Sequence, residues 1–517
     1  MPGRRYFASA AVPFLACLAA PCAWPQLAGP VAQTSSRPLG LPLSGAPNQA
    51  GSVTIQQNAS PAGSVSTINS SVQVGGAVSG SVPAVTRAAG PVTLTLADAV
   101  KLALQYNLGP ITADNAARAA RAQRLQALSA LLPDISASAS DTVTQVNLAA
   151  YGFQFKVPPG LNFSIPSVVG PFNYSSLQGN MSLSVFDLVR RRNWQTAKQM
   201  ERASVLSARD THELVVTAAA GAYLQTIATQ ARIASQQAQV DRAQAIYNQA
   251  VVRKQAGTNA RIDVTRSLVE FRTAQQRLSS LEADLLKQKM SLARILGLPL
   301  GRELALADPL AFSETTVPDT TASINRAIKN RADIQSAEAQ VHAAELQVSA
   351  ARAERLPSLA LAGNYGVLGP DPTSTHGVFA VTGSLNIPIW QGGRTSADIR
   401  QAETTLHQRQ AELADQRGRV EEDVRTALVE LRTAIGQVHV AESTRQYANE
   451  TLSQAQDRFA AGVATTVEVV QAQEQLASAE SDYVSSLFSF DLAKLALARA
   501  TGDAADEIPN LLKGGRP

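Results

Sequence analysis

Leu177-Gln178-Gly179-Asn180-Met181-Ser182-Leu183-Ser184-Val185 alternates apolar and polar residues with a period of two, and shortly afterwards, from Arg190 to Gln255, the chain contains no proline. The alternation predicts a strand with one apolar and one polar face. The proline-free run is rich in Ala, Gln, Arg and Glu and predicts an uninterrupted helix. At 1.5 Å per residue such a helix reaches about 100 Å, longer than any ordinary globular core. It therefore has to lie beside other helices in a bundle or cylinder.

Both features recur. Leu132-Pro133 is matched by Leu356-Pro357 at an offset of 224, Met181 to Phe186 by Leu385 to Trp390 at 204, and Arg190 by Arg394. From Gly257 and Gly462 onward the offset is 205, and Leu292-Ala293-Arg294 falls on Leu497-Ala498-Arg499. Val264, Phe271, Leu278, Leu285 and Leu292 recur every seven residues, as do Val469, Leu476, Tyr483, Phe490 and Leu497, which is the period of a coiled-coil seam. The falling offset predicts a longer connection in the first copy, placed in a loop between Pro133 and Met181.

Each copy thus reads helix, strand, strand, long helix, turn, helix. The first copy, 93–300, has strands at about 133–147 and 175–188, a long helix at about 190–255 and a turn near 257. After a linker at 301–320, the second copy, 321–503, has strands at about 357–368 and 378–390, a long helix at about 394–460 and a turn near 462. Phe379, Val381, Leu385, Ile387 and Ile389 continue the alternation, with Leu359, Leu361, Tyr365 and Val367 as partner strand. Apolar-out, polar-in alternation suits a water-filled barrel in lipid. Four strands per chain cannot close one, and an open edge in hydrocarbon leaves backbone groups unpaired, so several chains must share it.

The N-terminus has the layout of a secretory signal peptide over 1–23: Arg4 and Arg5, an apolar stretch from Tyr6, then small residues near Ala23. Both cysteines, Cys17 and Cys22, fall within it, where either is a candidate for lipid attachment in a weak context. No disulfide or thiolate metal site is then expected in the mature chain. Residues 24–92 hold no Asp, Glu or Lys and are rich in Ser, Gly, Ala and Pro, which predicts a mostly disordered extension, with order beginning at a capping box, Thr95 to Asp98. Residues 504–517 read as a C-terminal tail. A formal charge of +4 with no basic block argues against nucleic acid as a partner.

The arrangement resembles the TolC family of outer-membrane factors over about residues 93 to 503. The resemblance rests on Arg331-Ala332-Asp333-Ile334, Leu132-Pro133, Arg355-Leu356-Pro357-Ser358-Leu359, Ile389-Trp390-Gln391-Gly392-Gly393, and the turns Ala256-Gly257-Thr258 to Ile262-Asp263-Val264 and Ala461-Gly462-Val463 to Val467-Glu468-Val469. It implies a membrane β-barrel plus α-helical barrel, built as a homotrimer with four strands per chain and a shared twelve-stranded barrel in outer-membrane lipid. The implied role is exit duct of a tripartite efflux system for small molecules, drugs or metals, or of type I protein secretion. The partners are then a periplasmic adaptor and an inner-membrane pump, proton-driven or ABC type. A periplasmic adaptor or a coiled-coil structural protein is the competing class, although an adaptor has one helical hairpin rather than two.

Candidate site residues follow from these turns. Gly257, Thr258, Gly462 and Val463 mark the adaptor-docking tips, where glycine permits a positive-φ reversal; a plain helix C-cap is the simpler reading. The resemblance places a pore constriction at Glu468, with Gln471 standing where the family has a second acid, and Asp263 as the first-copy counterpart. Tyr151, Phe153, Phe155, Phe163, Phe172 and Tyr174 cap the barrel mouth, form an interfacial girdle, or pack within their loop. No catalytic or cofactor site is expected. The histidines, His212, His342, His376, His407 and His439, lack ligand spacing, and no phosphate-binding loop or nucleophile elbow occurs.

Overall fold

The structure, a computed structural model, describes residues 52–59, 68–83, 92–152, 167–257 and 260–512. In chain order its elements are β1 (Ser52–Ala59), β2 (Ile68–Gly75), β3 (Val92–Leu94), α1 (Leu96–Tyr106), α2 (Leu108–Ser129), β4 (Asp134–Asn147), β5 (Val168–Phe186), α3 (Leu188–Gln255), α4 (Arg261–Leu296), β6 (Leu304–Leu306), α5 (Thr320–Asn330), α6 (Ala332–Ala353), β7 (Ser358–Gly369), β8 (His376–Asn386), α7 (Arg394–Ala460), α8 (Thr466–Thr501) and α9 (Ala504–Glu507). Residues 1–23, where a signal peptide is expected, with Cys17 and Cys22, most of the 24–92 extension, Thr258, Phe153, Phe155, Phe163 and residues 513–517 lie outside the described residues.

The repeat is structural as well as sequential. The pairs α1/α5 and α2/α6 have 11 and 22 residues each, α3 and α7 have 68 and 67, and α4 and α8 have 36 each. Such agreement leaves no room for chance similarity of two amphipathic helices. The chain divides into two compact units, one comprising Pro133–Val185 and Leu359–Leu385 and the other Arg37–Leu132, Phe186–Ser358 and Asn386–Pro517.

The first unit is a four-stranded sheet in the order β4-β5-β7-β8, in which β4 and β5 pair antiparallel. Two strand boundaries depart most from the expectation. β5 begins at Val168 rather than near 175, and its register slips between Thr144 and Val146 of β4. The added length of the first copy is therefore partly strand, 19 residues in β5 against 11 in β8, and not loop alone. β8 ends at Asn386, because Pro388 cannot donate to a ladder and stops the pairing that periodicity alone extends to 390.

The second unit is helical. Thr95 caps α1 as a complete capping box: Asp98 N donates to Thr95 Oγ1 at 3.2 Å and Thr95 N to Asp98 Oδ2 at 3.4 Å. α3 packs against α2, α4, α6 and α8, while α7 packs against α6 and α8. The heptad positions serve this packing: Val469, Leu476, Phe490 and Leu292 are buried, and Phe271 and Leu278 pack on Val240, Ala243 and Ala274. Among the described residues no helix is long and apolar enough to cross a membrane.

Two arginines that look like helix surface in sequence are held here by carboxylates of neighbouring elements, Arg331 itself being buried. Arg499 of α8 donates to Asp210 and, at 2.9 Å, to Glu213, both on α3. Arg331, in the break between α5 and α6, forks onto Asp333 at 2.7 and 3.1 Å and reaches Asp423 of α7 at 2.9 Å. The Arg-Ala-Asp-Ile stretch is thus a brace between α6 and α7.

The described part of the 24–92 extension is more ordered than its composition predicts, and part of the C-terminal tail packs on the core. β1 and β2 form an antiparallel hairpin with Val53 opposite Val74 and Ile55 opposite Val72. Val53, Val72 and Val74 pack on the core cluster of α1, α3, α4 and α8, and Val78 is fully buried. Few apolar residues suffice because pairing sets them on one face, and because Gly221 of α3 leaves room for Val72, where a Cβ would sit 2.9 Å from Val72 Cγ1. At the other end Ala504 and Ile508 are fully buried, and Lys494 Nζ donates to the Leu511 carbonyl at 3.1 Å.

Asp491 of α8 is almost wholly buried, with Lys494 Nζ 3.6 Å from Oδ1 and no hydrogen bond to either oxygen. Burial pushes its carboxyl up to about 6 from 3.8, the Lys494 ammonium opposing this. Because the folded value lies above the unfolded one, the fold is favoured most with the acid protonated and loses that contribution as pH rises through about 4 to 6. Asp491→Asn is therefore expected to stabilise the fold at about pH 8, by up to about 3 kcal/mol, and to leave its stability unchanged below about pH 4. Unfolding followed by circular dichroism at both pH values checks this.

Candidate functional site: a two-faced sheet and two helix reversals

The cross-strand register sorts β4 and β5 into two faces. Ile135 lies opposite Met181, Ala137 opposite Gly179 and Ala139 opposite Leu177, whereas Ser136, Ser138 and Ser140 lie opposite Asn180, Gln178 and Ser176. Directly opposed residues share a face, so the first set is apolar and the second polar. The polar face is knitted by side chains: Ser140 and Ser176 hydroxyls are 2.8 Å apart, Asn180 Nδ2 donates to Ser138 Oγ at 3.1 Å, and Asn364 Nδ2 of β7 donates to Gln178 Oε1 at 3.1 Å.

The apolar residues are left open. Ile135 is 75% exposed and Phe379 78%, and Leu177, Val381, Leu385 and Val143 are also exposed. A sheet face of this size in water is a liability, while in hydrocarbon it is the favourable surface. Asp141 interrupts the apolar register, its carboxylate accepting from Ser175 Oγ at 2.8 Å. Phe172 and Tyr174 belong to β5, so these two aromatics stand in the sheet rather than in the loop.

At the far end of the long helices, α3 turns into α4 and α7 into α8 through matched reversals. Gly257 and Gly462 have φ of 74° and 78°, and each amide donates back into the last helical turn, to Lys254 O at 3.0 Å and Phe459 O at 3.1 Å. A Cβ at either position would meet nothing within 4 Å. The dihedral, rather than crowding within the chain, selects glycine. Val463 beside it is exposed.

Glu468, in the first turn of α8, faces Arg458 of α7 across the reversal, with 3.3 Å between Oε1 and Nε. Asp263 in the first turn of α4 has a looser partner, Arg266, at 3.7 Å. Gln471 is exposed one turn further along α8. Asp263 and Glu468 are not joined by any contact among the described residues. Two contacts were not visible in the sequence reading: Arg458 as counter-ion, and Arg253 of α3, whose guanidinium lies 4.0 Å from the Phe459 ring centroid and donates to its carbonyl at 3.4 Å. The second ties the two reversals together around the cluster of Ile246, Leu452, Phe459, Val469 and Leu476.

The family model described as outer membrane efflux protein matches residues 111–298 and 323–503, both copies of the repeat and most of the chain. The chain belongs to the outer membrane efflux protein family. Similar relatives include the pyoverdine export outer membrane protein OpmQ of Pseudomonas putida, 25% identical over 55% of this chain and 60% of that protein. Another is the outer membrane protein TolC of Vibrio cholerae, 24% identical over 72% of this chain and 85% of that protein. Among solved structures, the Campylobacter jejuni CmeC outer membrane channel superposes with a TM-score of 0.69 at 18% identity, covering 81% of this chain and 90% of that one.

As a member of the outer membrane efflux protein family the chain is a non-catalytic outer-membrane channel component of an efflux-type transport system, with a large periplasmic helical domain. The two faces of the sheet accord with that location: one for lipid, one for water.

Proposed function

We propose that three copies of this chain pool their strands into one twelve-stranded barrel and their helices into one conduit, docked through the reversals to a periplasmic adaptor and, through it, to an inner-membrane pump. The observation that carries this reading is the four-stranded sheet with free edges at β4 and β8 and an uncovered apolar face. Free edges in hydrocarbon strand backbone donors and acceptors, and closure by further copies of the same sheet removes them. Small molecules are the cargo supported by the relatives, whose names attach pyoverdine export, toluene efflux and antibiotic efflux to them. Mass measurement of the detergent-solubilised protein tests the assembly: a trimer is expected, and a monomer sinks it.

Gly257, Thr258, Gly462 and Val463 are the docking surface in this reading, because the space beside both glycines is open. Glu468, Asp263 and Gln471 form the constriction. Arg458 already offsets part of the Glu468 charge, so the ring is a moderate filter rather than a strong cation trap. In planar bilayers Glu468→Gln is expected to lower the cation-to-anion permeability ratio by on the order of a few-fold. An unchanged ratio removes Glu468 from the constriction.

A further inference from the structure

The chain passes between the sheet and the helical unit four times, after Leu132, Val185, Ser358 and Leu385, and all four passages fall at one end of the helical unit. α2 runs antiparallel to α3, with Arg124 on Glu201 at 3.0 Å and Arg190 Nη1 donating to the Ala130 carbonyl at 2.9 Å. α6 runs antiparallel to α7, with Arg352 on Glu403 at 2.7 Å and Arg417 on Glu338 at 2.8 Å. α6 is antiparallel to α3 as well: Ser336 Oγ donates to the Ala203 carbonyl at 2.8 Å, while three residues back Asp333 lies in the field of Arg499, which is bonded to Asp210. The ends of α2 and α6 and the starts of α3 and α7 are therefore neighbours.

Large apolar side chains stand uncovered at this end. Leu132, Phe186, Leu356 and Ile387 are each about half exposed, and Trp390 is 87% and Ile389 94% exposed. The segments 128–132, 186–192, 354–358 and 386–394 also hold five arginines against two acids. Arg190 lies 3.3 Å from Asp187 and Arg394 lies 3.5 Å from Glu354, which occupies both acids. Arg191, Arg192 and Arg355 have no carboxylate partner among the described residues; Arg192 donates to Gln195 at 2.9 Å and Arg355 to Ser396 at 3.4 Å, and Arg191 and Arg355 are exposed. An exposed tryptophan beside guanidiniums without counter-ions suits a bilayer boundary, the ring at headgroup level and the cations on phosphate.

We infer that this collar binds anionic phospholipid, with Arg191, Arg192 and Arg355 taking the headgroup phosphates and Ile389 and Trp390 lying against the adjoining acyl chains. The occupant follows from continuity and from charge. Each segment runs directly into a sheet whose apolar face suits hydrocarbon, so the collar stands where hydrocarbon gives way to water. A guanidinium grips phosphate through two parallel hydrogen bonds in any phospholipid. Three cations without internal counter-ions nevertheless favour a headgroup of net negative charge over a zwitterion, whose own ammonium opposes them. The inference rests on the sheet lying in lipid and holds for any number of copies in the barrel.

The test mixes the full-length protein in detergent with equal amounts of phosphatidylglycerol and phosphatidylcholine of identical acyl chains, and counts the lipid retained after washing by mass spectrometry. Phosphatidylglycerol is expected to be retained over phosphatidylcholine by at least about ten-fold. Arg191→Gln removes no contact within the chain and is expected to lower that ratio by up to about five-fold; adding Arg192→Gln and Arg355→Gln is expected to bring it near one. Arg419→Gln, in the exposed α7 pair with Asp415, is expected to leave the ratio unchanged. Equal retention of the two lipids by the native protein overturns the collar, as does a triple variant, folded by circular dichroism, that keeps the preference. Should the triple variant fail to fold, Arg191→Gln alone decides, and an unchanged ratio counts against the collar. The mass of the same particles reports the copy number separately, so a trimer with no lipid preference overturns the collar and leaves the shared barrel standing.

Discussion

Leu177→Arg is expected to abolish accumulation of the protein in the outer-membrane fraction, while Gln178→Arg, one residue along, inserts. Leu177 is exposed on the apolar face opposite Ala139, and Gln178 lies on the polar face opposite Ser138. A guanidinium on the lipid face of a barrel costs about 2–4 kcal/mol near the bilayer midplane, and the cost recurs in every copy that shares the barrel. On the polar face the same group meets water and sacrifices only the bond from Asn364. Fractionation with a folded-versus-heated gel shift reads the difference. Equal insertion of both variants means that the faces are assigned the wrong way round or that the sheet does not meet lipid.

The second large effect lies in the helical unit. Arg499→Ala removes the guanidinium that the buried Asp210 and Glu213 share, leaving Glu213 only the looser ion pair with Arg209 at 3.8 Å, and breaking a buried pair of this kind costs about 3–5 kcal/mol. Burial already holds the Glu213 carboxyl above its usual range in spite of Arg499. With the arginine gone Glu213 is expected to protonate more readily, so the loss should be largest at neutral pH and shrink as the pH falls. Adding Asp210→Asn and Glu213→Gln should recover most of the stability. A single variant within about 1 kcal/mol of the native protein by thermal unfolding would show the cluster to be better solvated than its geometry implies.

The elements that were legible in sequence are those whose pattern is local. Alternation at Leu177 to Val185 and the proline-free runs after Arg190 and Arg394 declare strand and helix by themselves, and the duplication declares their order. The start of β5 is different: Val168-Val169-Gly170-Pro171 carries turn residues, and it is held as strand by pairing with β4 rather than by its own preference. The β1–β2 hairpin fails for a related reason. Its valines make an apolar face only after two strands come together, so composition along the chain reads as extension.

At the reversals the glycines and Glu468 could be picked out because they repeat or follow a motif. Arg458 could not, since it meets Glu468 only once α7 and α8 fold back on each other. The same holds for Arg499, whose partners stand 286 and 289 residues away. Long-range ion pairs carry no periodic signature.

The near-identity of the two rods, 68 residues against 67, followed by 36 against 36, constrains how the gene can change. Inserting a heptad into one rod alone would carry its reversal about 10 Å beyond its twin and put the Arg253–Phe459 bracket out of reach. Length in this protein is a paired variable: any viable change in span has to be written twice, once in each half, and in steps that keep the seven-residue seam in phase.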